Sequence, residues 1–202
     1  MAQRRTARCR RSRVQPLLIR FVCCFGGRLR SSAMIDRHLM TTRFNSDLAR
    51  QVLKNPVHWP AFGFGLGLLP IAPGTWGSLL GVLLFWILIP LKLPVYLGVV
   101  TALFVVGIWI SGESARQIGV HDHPGIVWDE VVGMMLTLAA VEPQPVWILT
   151  GFVLFRAADI WKPWPIRDLD HRLRGGLGIM LDDVLAAVYA GVALLLLRSF
   201  FP

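Results

Sequence analysis

Apolar residues in this chain run in long unbroken blocks and do not alternate with polar ones. Five blocks stand out: Trp76–Leu91, Leu93–Ile110, Ile126–Val141, Val146–Ala158 and Val184–Phe201. Pro90-Leu-Lys92-Leu-Pro94 parts the first two, and Glu142-Pro-Gln-Pro145 parts the third from the fourth. Proline ends helices because it lacks an N–H and fixes φ. Runs of this length with no period-two alternation are helices, not strands. Only the second and fifth approach the ~20 residues of a membrane span. The third and fourth are short, which leaves them tilted, re-entrant or packed within a bundle. The expected fold is all-α, an integral membrane helical bundle of three to five spans, with five as the working choice.

Composition supports a lipid solvent. Hydrophobic residues make up 54% of the 202 and charged ones 16%, and the mean hydropathy is +0.56. Too few polar side chains remain to cover the apolar ones. The net charge of +9 is a local feature: residues 1–39 hold ten of the 21 Lys and Arg, all arginines, and one of the 12 acids, Asp36. The rest is balanced, so no nucleic-acid partner is expected. Cys9, Cys23 and Cys24 all lie in that leader, which excludes disulfides and thiolate-bound zinc from the body. We read residues 1–39 as a basic leader, disordered or untranslated with Met34 or Met40 as the true start, and 40–202 as the folded domain. An organellar transit peptide is the other reading. Cys24 through Arg30-Ser31 fits the Cys-x5-Arg-Ser loop of thiolate phosphatases, but that loop needs a sheet behind it. Coincidence in an arginine-rich segment accounts for it better.

Threading the body through five spans sorts its cations. Arg43, Arg50, Lys54, Arg116, Arg156, Lys162, Arg167, Arg172 and Arg174 fall on one side, and Lys92 and Arg198 on the other. The first side is therefore expected to be cytoplasmic. The same threading gathers on that side the Pro73-Gly74-Thr75 loop before the first span, Asp129-Glu130 opening the third, Asp159 ending the fourth and Asp182-Asp183 opening the fifth. An ionisable residue at a helix centre in a membrane costs about 2.5–3.5 kcal/mol on insertion scales, so acids gathered on one face call for a purpose.

Adjacent acids on a helix point about 100° apart, so each pair can offer one carboxylate to a shared point. Oxygen ligands without cysteine suit a hard ion such as Mg²⁺. A helix-start acid is often only a cap or a favourable charge at the positive dipole end. Asp159, late in its helix, gains nothing from that effect. Lys162, three residues on, reads as its ion-pair partner or as a contact to substrate phosphate, with Arg167 a second cation for that task. Gly63–Gly67 leading to Ala72–Gly77, and Gly175-Gly176-Leu-Gly178, could approach phosphate by backbone amides, or could simply let helices pack closely. His121-Asp122-His123 reads equally as a proton-transfer cluster or a solvated loop. The eight tryptophans read as interface anchors.

Three stretches, GFGLGLLPIAPGTWGS (63–78), GVHDHPGIVWDEVVGMMLTL (119–138) and GFVLFRAADIWKPWPIRDLDHRLRGGLGIMLDDV (151–184), resemble the phosphatidylglycerophosphatase A family over roughly Asn55 to Gly191. Ala157-Ala158 stand where that family tends to carry a bulkier apolar pair. The resemblance implies a helical membrane enzyme of the bacterial inner membrane, with its active site on the cytoplasmic face. Such an enzyme uses Mg²⁺ to hydrolyse phosphatidylglycerophosphate to phosphatidylglycerol and phosphate in phosphatidylglycerol and cardiolipin synthesis. It implies a metal set drawn from Asp129, Glu130, Asp159, Asp182 and Asp183. Asp129, Glu130, Asp159, Lys162 and Asp183 are then catalytic, with Glu130 or Asp183 as base. Thr75, Gly74, Lys162, Arg167, Gly175 and Gly176 attend the phosphate. Self-association is left open. The rival expectation is a multi-span cation transporter or channel, which would spread its acids through the membrane depth.

Overall fold

The computed structural model describes residues 46–120, 123–164, 166 and 175–200. The basic leader with its Cys24 motif, His121, Asp122, Arg167 and the arginines at 43, 172 and 174 lie outside them. Among the described residues there are seven α-helices and no strand. They are α1 (Ser46–Lys54), α2 (His58–Ala61), α3 (Pro73–Leu88), α4 (Leu93–Ile118), α5 (Trp128–Leu138), α6 (Pro145–Trp161) and α7 (Gly176–Phe200), with a 3₁₀ turn at Gly63–Leu68.

Each apolar block forms a helix, but three boundaries move. Pro73-Gly74-Thr75, expected as a loop, is the first turn of α3, with proline in the opening position where its missing N–H costs nothing. α4 runs on to Ile118, and Gly119 at φ 78° closes it by donating its N–H to the Ala115 carbonyl. α7 begins at Gly176, about two turns before Val184. Asp182 and Asp183 therefore sit inside a helix and do not open it.

α4 and α7 are long and apolar enough to cross a membrane, at 26 and 25 residues. Only 22% of the most apolar window of α4 is buried within the protein. A helix from a soluble core would be covered, whereas Val105, Val106 and Trp109 face outward. α3, α5 and α6 are shorter, at 16, 11 and 17 residues.

The centre of the bundle is α5, which packs against α3, α4, α6 and α7. Val131, Val132, Met134, Met135 and Leu138 are buried there with Phe155, Met180 and Leu194. Two side-chain to backbone bonds lock α4 onto α5: Trp128 Nε1 donates to Leu103 O at 3.2 Å and Tyr96 Oη to Met135 O at 2.7 Å. Gly133 permits the close approach of α5 to two helices at once. A Cβ there would lie 2.8 Å from the Phe155 ring and 3.0 Å from the Asp183 carbonyl oxygen. A smaller core of Val52, Ala61, Phe62, Ile110, Ala115, Ile126 and Ile179 ties α1 and α2 to the end of α4. Buried His58 bonds through Nδ1 to Ser114 Oγ at 2.8 Å beneath it.

Candidate active site

Helices α3, α5 and α7 start at the end of the bundle where α4 and α6 finish. The first turns of α3 and α5, the last turns of α6 and the second turn of α7 consequently meet. Asp129 and Glu130 come from α5, Arg156 and Asp159 from α6, Lys162 from the residue that caps α6, and Asp182 and Asp183 from α7. The five acids expected from the sequence are thus drawn to one region. Opposite them, at the far end, Glu142 pairs with Arg198 at 2.5 Å.

Within that region the acids take different partners. One oxygen each from Asp129, Glu130 and Asp183 can be chosen so that all lie within 4.8 Å of one another. Asp183 is 3% exposed. Glu130 Oε2 and Asp183 Oδ2 are buried and meet no hydrogen-bond donor among the described residues. Asp182 takes other partners: its Oδ2 accepts Lys162 Nζ at 2.6 Å, and its Oδ1 accepts the Asp183 N–H at 3.0 Å. Asp159 Oδ2 pairs with Arg156 Nη1 at 2.7 Å, and that nitrogen lies 3.8 Å from Glu130 Oε1. The Asp159 carboxyl also reaches that of Asp183. Among the described residues, five carboxyl groups thus face two cationic side chains, an excess of three acids over cations.

The three-residue spacing puts Lys162 on the face of Asp159 only where the helix continues that far. It does not continue. Lys162 takes a left-handed conformation, φ 41° and ψ 67°, at the end of α6. From there its side chain meets α7. Arg156, read from the sequence only as one of the charges that orient the chain, turns out to be the cation at the centre of the acids. The available signal was its spacing of three from Asp159 within an otherwise apolar helix, which puts both on one face.

The glycine expectations divide. Gly74 is buried in the first turn of α3 directly on the cluster: a Cβ there would collide with Glu130 Oε1 and lie 2.9 and 3.0 Å from Arg156 Nη2 and Nη1. Thr75 follows it, half-buried, with its N–H on the Ala72 carbonyl. Gly176 is occupied by packing, because a Cβ there would strike the Ile108 carbonyl oxygen of α4. Gly175, at φ 80°, precedes α7 and has nothing within 4 Å of such a Cβ. His123 accepts the Gly125 N–H at 3.0 Å and lies against the Phe62 ring, outside the carboxylate group. On either flank of the acids apolar side chains point outward: Ile71 just before α3 is 77% exposed and Trp161 beside Lys162 is 82%.

Fold and site together define an apolar protein, helical among its described residues, with a partly buried centre of carboxylates and two cations at one end. The chain belongs to the phosphatidylglycerophosphatase A family, whose model matches residues 59–198. Phosphatidylglycerophosphatase A of Escherichia coli K12 is 42% identical over 161 residues, covering 78% of this chain and 94% of the relative. The Haemophilus influenzae protein of the same name is 48% identical over 148 residues, covering 72% and 91%. A Bacteroides thetaiotaomicron protein described provisionally as a phosphatidylinositol-3-phosphatase is 37% identical over 158 residues, covering 72% and 98%. No solved structure matches the chain.

Proposed function

We propose that this protein is a multi-pass phosphatase of the bacterial inner membrane that hydrolyses phosphatidylglycerophosphate to phosphatidylglycerol and inorganic phosphate at the cytoplasmic face. The observation that carries the reading is the largely buried triad of Asp129, Glu130 and Asp183, with oxygens within 4.8 Å of one another, in a chain of this family. Carboxylates at that separation repel unless a cation or a shared proton lies among them. Hard oxygen donors and two undonated oxygens, Glu130 Oε2 and Asp183 Oδ2, fit Mg²⁺. Asp129, Glu130 and Asp183 would hold it. When bound, such an ion neutralises phosphate charge and lowers the pKa of an attacking water.

The chain's own residues supply the rest. Lys162, aimed by Asp182, presents its ammonium to a non-bridging phosphate oxygen. Water adds to phosphorus as the ester P–O bond breaks. Its proton is accepted by Glu130 or Asp183 and delivered to the departing glycerol oxygen, so that an alcohol and phosphate leave. Outward-facing Ile71, Trp161 and Trp164 border the acids and suit the boundary between acyl chains and headgroups. The cations at this end (Arg50, Lys54, Arg116, Arg156 and Lys162, against Lys92 and Arg198 opposite) support a cytoplasmic orientation. A cation transporter fits less well: the described acids gather at the bundle ends, and no string of them follows the bundle axis.

The test is phosphate release from phosphatidylglycerophosphate by the purified protein, with Mg²⁺ and then with EDTA. Release under Mg²⁺ that stops on chelation is expected. No release under Mg²⁺ overturns the enzymatic reading, and release that survives EDTA overturns the metal.

A further inference from the structure

Among the described residues, two of the five acids hold a cation at close range, while Glu130 stands farther from Arg156. Asp159 holds Arg156 at 2.7 Å, and Asp182 holds Lys162 at 2.6 Å. A carboxylate engaged with a guanidinium or ammonium at that distance has that charge as its first neighbour. Arg156 borders the Asp129–Glu130–Asp183 triad, and Lys162 is held by Asp182, the chain neighbour of Asp183. Arg156 enters from α6, with Nη1 3.8 Å from Glu130, and Lys162 enters from the α6 cap across to α7. Arg156 lies directly over Gly74 in the first turn of α3, where a side chain would displace its guanidinium. Its Nε is buried and without a hydrogen-bond acceptor among the described residues. A guanidinium offers five donors in a planar fork, and the pairs with Asp159 and Glu130 both use Nη1, which leaves donors for another planar or tetrahedral oxyanion.

We propose that the acids divide their labour. Arg156 and Lys162 together grip the phosphate of the substrate, while Asp159 and Asp182 are positioning residues that aim these two cations. Ligation of the cation is left to Asp129, Glu130 and Asp183. This rests on the phosphatase reading above and adds to it a second phosphate-binding cation that the sequence did not single out. It also narrows the metal set from five acids to three. A phosphomonoester carries about two negative charges near neutral pH. Two fixed cations beside the acids would meet that charge as the substrate arrives, whereas acids alone would repel it.

The experiment compares Arg156→Gln, Arg156→Lys, Asp159→Asn, Asp182→Asn and Asp183→Asn in the full chain, purified in detergent. Binding of Mn²⁺ is measured without substrate by the electron paramagnetic resonance signal of the free ion. KM and kcat are measured on phosphatidylglycerophosphate in mixed micelles. Loss of a charge-assisted contact corresponds to about 10- to 100-fold, so KM is expected to rise by about that factor in Arg156→Gln and Asp159→Asn, with Mn²⁺ affinity nearly unchanged. Arg156→Lys should recover part of the loss, and Asp183→Asn should weaken Mn²⁺ binding about tenfold or more. Unchanged Mn²⁺ binding in Arg156→Gln also shows that the variant is folded. The proposal is overturned if Asp159→Asn or Asp182→Asn weakens Mn²⁺ as much as Asp183→Asn, or if Arg156→Gln leaves KM unchanged. An unmodified protein that binds no Mn²⁺ would instead remove the metal from the phosphatase reading, and the KM values would still decide the role of Arg156.

Discussion

Gly74→Ala adds a single methyl group at the point where α3 touches the acids, and its effects on stability and on activity should part company. Gly74 is helical with no positive φ, so alanine is acceptable to the backbone. Replacing glycine at a compatible position stabilises by about 0.4–1 kcal/mol, through the entropy of the unfolded chain. Against this, the new Cβ would overlap Glu130 Oε1 and lie 2.9 and 3.0 Å from the two terminal nitrogens of Arg156. These atoms end flexible side chains, so the clash is relieved by moving them, not by separating α3 from α5. Restoring an ordinary contact requires a retreat of about an ångström, which takes Glu130 out of register with Asp129 and Asp183. A misplacement of that size costs on the order of 10²-fold in rate. The expected outcome is a protein whose unfolding temperature in detergent is unchanged or slightly higher, and whose phosphate release is down about a hundredfold. Gly98→Ala, on an open face of α4 with nothing within 4 Å, serves as the control and should keep full activity. Undiminished turnover in Gly74→Ala would refute the placement of Glu130 and Arg156 at the reacting centre.

Two further expectations concern the scaffold. Tyr96→Phe removes the 2.7 Å bond to the Met135 carbonyl, which keeps its helical partner Ala139 N–H; a loss of about 1 kcal/mol in thermal unfolding is expected, with activity retained. Burial holds the His58 imidazole below its ordinary value of 6.5, with the nearby Glu113 charge offsetting part of the effect. The unfolded chain therefore binds more protons than the folded one between the depressed value and 6.5. Stability contributed by His58 is complete above that window and is lost as pH falls through it. A His58→Asn variant should show a flatter dependence of unfolding temperature on pH between neutrality and mildly acid solution, and an unaltered profile would refute a buried neutral imidazole.

The helices were legible because their signal is a run of apolar residues, and nothing but a helix satisfies the backbone over such a length without neighbours. Their ends were less legible, for a reason seen at α7. Gly176-Leu-Gly178 and Asp182-Asp183 read as loop and cap, yet Ile179 and Met180 are buried against the bundle and draw two more turns into the helix. That gain comes from tertiary contact, which local composition does not carry. The acids were found because charge is rare in so apolar a chain. Their partners were not: Lys162 shares its spacing with Asp159 but leaves the helix in a left-handed conformation and meets Asp182. Arg156 was hidden by success in another role, since an arginine at the end of a span already satisfies the orientation rule.

The short central helix explains how so much charge can be buried at all. At 11 residues α5 begins well inside the frame of the longer α4 and α7, so its first turn delivers Asp129 and Glu130 to a covered place. The positive end of its dipole favours them, but such an interaction is worth typically 0.3–1 kcal/mol per charge. Burial costs several kcal/mol per ion. Arg156 and Lys162 offset two of the five charges, and the remaining three exceed anything the dipole can balance. The ion proposed for the triad would therefore contribute to folding as well as to chemistry. A ligand at a hundred times its dissociation constant stabilises the state that binds it by about 2.7 kcal/mol. Chelation is accordingly expected to lower the unfolding temperature along with the rate, and the two should fall over the same range of free Mg²⁺. A rate that collapsed while stability stayed level would mean that the acids are already neutralised by protons or by cations of the chain, and that the ion arrives with the substrate.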